Sequence, residues 1–272
     1  MKTLKLRIKD KHSKVLNQLA SEVNFVWNYV NDLCFKHLQR TGNFFSAFDI
    51  AKYTAGASKL LNLHSQSIQA ITEELVLRRK QFKKAKLRWR VSNPTSAKKT
   101  LGWIPFKKTA IKYQHGQVKY GNHWFSLWDS YGLNKYNVKT GAFVQDSRNR
   151  WYACLVVDNA TTLESKGIES IGIDLGLKDF ATLSNGNKIQ AQRTYREYEK
   201  KLGIAQRARN KKRVKAIHAK IKQIRNNHLH QESTKLVKNY AAIFVGNVNA
   251  KGLAKTKLAK SVLDAGWTAF RT

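Results

Sequence analysis

The 272-residue chain is long enough for one large domain or two modest ones, and its hydrophobic fraction of 42% supports a packed core in each. Its 51 Lys and Arg outnumber 17 Asp and Glu, and the net charge of +34 favours a polyanionic partner, nucleic acid first and an anionic membrane surface second. No apolar run approaches the roughly 18 residues of a membrane span, and the N-terminus is not a signal peptide, so we expect neither a membrane protein nor export by that route.

The first third of the chain predicts one strand followed by helices. Lys2 to Lys9 alternates apolar and basic side chains, which indicates a strand with one solvated face. From Ser13 to Gln39 apolar residues recur every three or four positions, which predicts a long amphipathic helix that Gly42 ends. A short helical piece around Ala47 to Lys59 precedes Ser65, the expected N-cap of the next helix.

That helix is predicted to become a basic, aromatic-bearing segment from Arg78 to Arg90, RRKQFKKAKLRWR. Phe82, Leu87 and Trp89 are interleaved with cations that have no acidic counterpart, a pattern that suits a nucleic-acid backbone with some stacking. The alternative is a helix whose aromatic residues enter the core while its cations are merely solvated. The residues we expect to contact nucleic acid here are Arg78, Arg79, Lys80, Lys83, Lys84, Lys86, Arg88 and Arg90.

Beyond Asn93-Pro94, apolar residues again recur at every second position. Short strands separated by turns are predicted at Trp103–Lys107, Ala110–Tyr113, Gln117–Tyr120, Trp124–Leu127, Ala142–Gln145 and Trp151–Val157. Together with the opening strand they predict a small β-barrel. Lys107 and Lys108 are further candidates for contact with nucleic acid. Asp158 to Ser170 is expected to be a linker to a second domain.

The second domain is predicted to open with the strand that carries Asp174. Ile171 and Ile173 are β-branched residues at period two, and Asp174 follows where the strand ends. Phe180 to Ser184 is a second strand, and Asn185-Gly186 is the signal of a tight turn into a third. A carboxylate so placed is typical of ribonuclease H-like nucleases, where it helps to hold Mg²⁺, and of ATPases of the sugar-kinase type; it can also merely cap a turn.

The next segment, Arg193 to Arg225, is rich in helix formers and predicts a helical hairpin interrupted at Gly203. Ile217, Ile221 and Ile224 give it a narrow apolar seam and leave a broad positive face. We expect this face to bind nucleic acid through Arg207, Arg209, Lys211, Lys212, Arg213 and Lys215.

Neither the histidines nor the cysteines predict a metal site. His218, His228 and His230 have no Cys or carboxylate partners at ligand spacing. Cys34 and Cys154 are isolated in apolar settings, which predicts buried free thiols in a reducing compartment.

Two elements complete the predicted second domain. The run AAIFVGNVN at Ala241 to Asn249 is continuously apolar, which predicts a central strand beside the strand of Asp174. Lys255 to Phe270 is a last helical pattern. Asp264, within it, is expected to have a surface or capping role rather than to replace a catalytic carboxylate.

Three segments together carry a resemblance to a known family: GIDLGLKDFATLSNG, the HAKI segment at His218–Ile221 ahead of STKLVK, and IFVGNVNAKGL. In this order they resemble TnpB, the RNA-guided nuclease of small bacterial transposons, which is related to type V CRISPR effectors. The resemblance spans nearly the whole chain and sets aside the ATPase interpretation of Asp174.

The resemblance implies a fold of α+β and α/β type in two domains. Residues 1–160 would be a wedge β-barrel with a helical recognition insertion at about 11–92. Residues 161–272 would be an incomplete RuvC-like domain of the ribonuclease H fold, with a basic helical hairpin. The implied partners are a guide RNA and target double-stranded DNA next to a short recognition motif, with no membrane and no small-molecule substrate. The implied location is the bacterial cytoplasm, in association with the nucleoid.

The family cuts DNA with three carboxylates, and this sequence departs from that pattern. Asp174 matches the first, whereas the second, a Glu, falls on Gly246. The third Asp and a zinc ribbon lie beyond the last helix in the family, and this chain ends at Thr272. One carboxylate cannot place two Mg²⁺ ions about 4 Å apart. We therefore expect no zinc and no required cofactor, with Mg²⁺ at Asp174 only if the chain is active.

The leading hypothesis is a guide-RNA-binding, RNA-guided DNA-binding protein that does not cleave, plausible as a transcriptional repressor. An active RNA-guided DNA endonuclease, a fragment of one, or a transposon accessory protein is the first alternative. A generic basic RNA-binding protein or a decayed transposon remnant is the second.

Overall fold

The computed structural model describes residues 1–158 and 167–271. The chain divides into two compact units, Met1–Ala160 and Thr161–Thr272. Most of the predicted linker, Asp158 to Ser170, falls on residues outside the described ranges. Within those ranges, each helix is too short or too polar to cross a bilayer.

The first unit is built on a seven-stranded, barrel-like antiparallel sheet. Its strands are β1 (Lys2–Ile8), β2 (Trp103–Lys107), β3 (Ile111–Gln114), β4 (Gln117–Tyr120), β5 (His123–Trp128), β6 (Val138–Gln145) and β7 (Trp151–Val157). Their order across the sheet is β2-β6-β7-β1-β5-β4-β3, so the opening strand pairs with β7 and β5. All seven strands expected from the period-two pattern are confirmed, with ends shifted by one to four residues in some of them.

The period-two pattern also determines the core of this unit. In β7, Trp151, Ala153, Leu155 and Val157 are buried while the residues between them are half-buried. Gly102 is required beneath the Trp151 ring, because a Cβ there would lie 2.2 Å from Trp151 Cη2. An aromatic cluster is also buried in this core and consists of Phe106, Tyr120, Phe125 and Phe143.

Four helices lie between β1 and β2 in the chain: α1 (Ser13–Thr41), α2 (Ala47–Thr54), α3 (Ala57–Leu60) and α4 (Ser65–Phe82). The long helix and its end at Gly42, where φ is +69°, are confirmed. The piece expected at Ala47 to Lys59 is two helices, because Gly56 has φ +76° between them. The predicted N-cap at Ser65 is wrong by one residue, since the His64 side chain accepts the N–H of Gln66.

The prediction of a helix through Arg90 is wrong. The helix α4 ends at Phe82, and Lys83 adopts a left-handed conformation. Residues 84–102 then run without regular structure. Asparagine side chains of α1 replace the helical hydrogen bonds, because an amide offers both a donor and an acceptor to a passing backbone. Asn31 bonds N and O of Leu87, and Asn28 bonds N and O of Arg90.

Asn31 gives a direct test of this arrangement. Its side chain is buried and makes bonds of 2.7 and 2.9 Å to the backbone of Leu87. We expect Asn31→Ala to lower the free energy of unfolding by about 2–4 kcal/mol, because two backbone groups lose their partners. Urea denaturation followed by circular dichroism measures it. Asn134→Ala, at an exposed position, is the matched control; equal effects of the two substitutions would contradict the interpretation.

The second unit contains a four-stranded sheet of β8 (Ser170–Leu175), β9 (Asp179–Leu183), β10 (Lys188–Gln190) and β11 (Ala242–Val245). The order is β10-β9-β8-β11, in which β9 is antiparallel to both of its neighbours and β11 is parallel to β8. The hairpin expected at Asn185-Gly186 is confirmed, with Gly186 at φ +86° and Leu183 N bonded to Asn187 O.

The prediction for Ala241 to Asn249 is confirmed in position and wrong in two respects. The strand β11 does lie beside β8, but it has four residues and is the last strand of the described sheet. Phe244 is 67% exposed, so the strand is not buried on both faces. An apolar run shows that a strand can be buried, whereas its neighbours decide whether it is.

Helices complete the second unit: α5 (Thr194–Arg207), α6 (Lys211–Asn239), α7 (Ala250–Leu253), α8 (Ala259–Ala265) and α9 (Trp267–Phe270). The predicted helical hairpin is confirmed as α5 and α6. Its turn is at residues 208–210, however, and Gly203 lies inside α5, where neighbouring helix formers outweigh a cost of about 1 kcal/mol.

Both cysteines are free thiols, as predicted. Cys34 is buried, whereas Cys154 is only half-buried. Burial raises the pKa of each thiol, so both are neutral near pH 7.

Candidate nucleic-acid interface and acidic site

Asp174 lies near the end of β8, opposite Thr182 of β9. Its neighbours Ile173 and Leu175 are buried, whereas Asp174 itself is exposed. The alternation of the strand therefore fixes this backbone in the core and directs the carboxylate outward, where it can reach a ligand.

Gly246 is the residue that the structure places beside Asp174. The parallel pairing of β8 and β11 ends there, with the Gly246 N–H donating to Ile173 O at 2.8 Å. A Cβ at Gly246 would lie 3.7 Å from Asp174 Oδ1. A side chain at position 246 would thus start next to the Asp174 carboxylate, and glycine supplies none.

The surrounding residues do not fit a pair of metal ions. Asn247 follows Gly246, but its Oδ1 accepts from Arg271 Nη1 at 3.3 Å. Asp179 is ion-paired with Lys188 at 3.4 Å. The described ranges contain no group of three or more His, Cys, Asp or Glu residues that could hold a metal. Two Mg²⁺ ions need several anionic oxygens, and here one carboxylate is in place.

Asp264 has the capping role that was expected of it. Both carboxylate oxygens accept the backbone N–H of Tyr195, at 3.0 and 2.9 Å, in the first turn of α5. Burial raises the pKa of the Asp264 carboxyl, although the bond from Tyr195 and the nearby Arg225 oppose the shift. The side chain is therefore committed to the end of a helix.

Of the three histidines, His228 is the most enclosed. It packs edge-to-face on Phe180 with ring centroids 6.2 Å apart, and its Nε2 is buried without a hydrogen-bond partner. No cysteine or carboxylate joins it in a metal-binding group within the described chain.

The candidate cations of the first unit fall into two groups. In the first group the side chains have protein partners. Arg78 pairs with Glu74 at 2.6 Å, Lys86 with Asp32 at 3.0 Å, and Lys107 with Glu73 at 2.7 Å. Arg90 and Arg79 are more buried than these three cations. Burial lowers the pKa of Arg90 to about 10, and its guanidinium bonds Asn24 Oδ1 at 2.6 Å, while Arg79 is buried.

The second group is exposed and makes no ion pair within the described chain. In the first unit it consists of Lys80, Lys83, Lys84, Arg88 and Lys108. In the second unit this group consists of six residues around the turn between α5 and α6, which we call the hairpin tip: Arg207, Arg209, Lys211, Lys212, Arg213 and Lys215. These are the candidate residues free to contact phosphate.

The hairpin tip is electrostatically costly for the protein alone. Lys211, Lys212 and Arg213 form the first turn of α6, which holds no acidic residue. The N-terminus of a helix already carries a partial positive charge, so each cation there costs a few tenths of a kcal/mol to about 1 kcal/mol. An arrangement that opposes folding stability in this way suits a surface that binds an anion.

Exposed aromatic side chains accompany the cations. Phe82 and Trp89 are 55% and 49% exposed, which excludes the alternative that both are core residues. Phe25 and Tyr29 of α1 lie with Trp89 around one cavity and were not predicted. Their spacing of four residues, off the buried stripe of α1, is the signal in the sequence that could have identified them.

Residues 154–257 match the family described as "Probable transposase", OrfB of IS605. A relative from Streptomyces pristinaespiralis, named "Putative RNA-guided DNA endonuclease", is 26% identical over 193 residues, which are 65% of this chain and 48% of the relative. The Escherichia coli K12 protein "Putative RNA-guided DNA endonuclease InsQ" is 27% identical over 157 residues, 47% of this chain and 39% of that protein. The chain thus spans less than half the length of these relatives.

Two solved structures are also similar. A CRISPR-Cas12f ternary complex gives a TM-score of 0.40 at 12% identity, with 97% of this chain and 70% of that chain covered. A complex of Cas12f1 with sgRNA and target DNA gives a TM-score of 0.33 at 14% sequence identity, with 99% of this chain and 82% of that chain covered. By the match of residues 154–257 and the two curated relatives, the chain is similar to TnpB-type proteins.

Proposed function

We propose that this chain binds a guide RNA and, through it, target double-stranded DNA next to a short recognition motif, without cutting. The observation that carries the proposal is Gly246. It occupies the position beside Asp174 where a second carboxylate would be needed, and a Cβ there would meet Asp174 Oδ1 at 3.7 Å. Without that ligand, the described residues offer two Mg²⁺ ions no common binding site.

Binding does not depend on the missing carboxylate. Affinity for nucleic acid comes from cations distributed over many positions, each of which neutralises a phosphate and releases counterions. The exposed, unpaired cations of both units supply this, and the net charge of +34 adds a long-range attraction. A protein that holds its target without cutting can act as a transcriptional repressor, and we assign the chain that role in the bacterial cytoplasm, at the nucleoid.

The fold is consistent with the two domains of this proposal. The barrel-like sheet with helices between β1 and β2 suits a wedge domain with a recognition insertion. The sheet β10-β9-β8-β11, with β11 parallel to β8, suits a RuvC-like domain of the ribonuclease H fold. In that domain the strand β8 would carry the first catalytic acid, where Asp174 is.

An active RNA-guided DNA endonuclease is the second candidate. It is favoured by the retained, exposed Asp174 and by the names of the curated relatives. Under this alternative Asp174 would be a Mg²⁺ ligand, together with carboxylates beyond those described.

Sequencing of the RNA that copurifies with the chain tests the proposal. We expect one discrete structured RNA that ends in a variable segment, and binding of a DNA that matches this segment, with no cleavage when Mg²⁺ is added. Mg²⁺-dependent cleavage that disappears in Asp174→Ala would establish the endonuclease instead. A mixture of cellular RNAs without guide-directed choice of DNA would indicate a generic RNA-binding protein.

A further inference from the structure

A cavity of about 500 Å³ in the first unit lies between the end of α4 and the segment before α2. Four cations line it, together with aromatic side chains. The cations are Arg79, Lys80, Lys83 and Lys84, and the aromatic residues are Phe44 and Phe45.

Arg79 is the unusual member of this lining, because only 4% of it is exposed. One nitrogen, Nη2, donates to Phe45 O at 2.6 Å, and the guanidinium lies over the Phe44 ring at 4.4 Å. The other terminal nitrogen, Nη1, is buried and has no hydrogen-bond partner. A buried donor without a partner costs about 1–3 kcal/mol, and more when it is charged.

No negative charge compensates the buried guanidinium. The Cys34 sulfur accepts a weak hydrogen bond from Arg79, but burial raises the pKa of the thiol, which is therefore neutral and supplies no charge. Asp49 is occupied by Ser46, whose N and Oγ donate to it at 2.9 and 2.7 Å. No carboxylate oxygen in the described ranges lies within 4 Å of a charged nitrogen of the four cavity cations.

The end of α4 explains part of this clustering. Arg79 and Lys80 are in its last turn, where the carbonyl dipole attracts cations. The dipole does not provide a partner for Arg79 Nη1, however, and Lys83 and Lys84 lie beyond the helix. Four cations around one cavity repel one another, so an anion in the cavity would relieve that repulsion.

We propose that this cavity binds one phosphate group of a nucleic-acid backbone. The proposal rests on the nucleic-acid binding proposed above and assigns a specific site for it. The Arg79 guanidinium, packed on Phe44 and bonded to Phe45 O, contributes a fixed positive charge at the cavity wall. The lysines add point charges around the cavity.

The test compares two variants of the full chain with equal loss of charge. Lys80→Ala/Lys83→Ala/Lys84→Ala removes the exposed cavity cations and leaves the buried Arg79 in place, so the fold is retained. The control, Lys11→Ala/Lys59→Ala/Lys98→Ala, removes exposed lysines that make no ion pair in the described chain. Affinity for a fluorescently labelled RNA is measured against salt concentration, and acetylation of each lysine is followed by mass spectrometry with and without the RNA.

We expect the cavity variant to bind the RNA at least about tenfold more weakly than the control. The slope of log affinity against log salt concentration should be smaller by about one, which is the contribution of one phosphate contact. Lys80, Lys83 and Lys84 should also be protected from acetylation by bound RNA. Equal losses in the two variants, or no protection, would overturn the cavity proposal and leave RNA guidance untouched. If the cavity effect holds while DNA choice is not guide-directed, the cavity proposal stands and the proposed function fails.

Discussion

Replacing Gly246 with Glu is expected to create a divalent-cation site with Asp174. The new side chain would start 3.7 Å from Asp174 Oδ1 and 3.5 Å from Ile173 O, which are ordinary van der Waals contacts, so the fold can accept it. Two carboxylates then face one another, and the added charge should strengthen Mn²⁺ binding at least about tenfold, or about 1.4 kcal/mol. Titration of Mn²⁺ followed by electron paramagnetic resonance measures the change.

Two control variants separate this effect from others. Gly246→Gln has the same length without the charge and should not gain affinity, and Gly246→Glu/Asp174→Asn should lose the gain. A gain that survives the loss of Asp174 would mean that the two positions do not share a cation. Metal binding is the appropriate readout, because it reports directly whether the two carboxylates share a cation.

Neutralising the hairpin tip is expected to weaken RNA binding and to raise the stability of the fold. Substituting Gln at Arg209, Lys211, Lys212 and Arg213 removes four charges and should reduce affinity for RNA at least about a hundredfold near 0.1 M salt, with a salt slope smaller by about 3. The same variant should melt at a higher temperature than the wild type, because the first turn of α6 no longer holds three cations at the positive end of the helix dipole.

The matched control substitutes Gln at Lys238, Lys251, Lys255 and Lys257, four exposed lysines of the same unit. We expect its affinity to fall much less and its melting temperature not to rise, because Lys238 is in the last turn of α6, where a cation is favourable. Equal loss of binding in both variants would show that total charge, and not the hairpin tip, determines affinity.

Periodicity and turn motifs in the sequence predicted most of the helices and strands and the position of Asp174 at the end of β8. Periodicity is a local property, so the strands of the first unit, α1 and the hairpin at Asn185-Gly186 were predicted close to their observed bounds. The pairing of β8 with β11 was also predicted, because a continuous apolar run of strand length fits beside another strand. Asp174 was predicted from its place at the end of β8, and Gly246 from the resemblance to TnpB.

Which cations are exposed and unpaired, and which are bound by other residues, depends on contacts between distant parts of the chain. Residues 84–102 leave the helix because asparagines of α1, some 56 to 62 positions away in the chain, bond to their backbone. The same folding buries Arg79 at a cavity and places Arg90 against Asn24. A run of basic residues in the sequence gives the total charge of a segment. The burial and hydrogen bonding of each cation depend on residues that are distant in sequence and become adjacent only after folding.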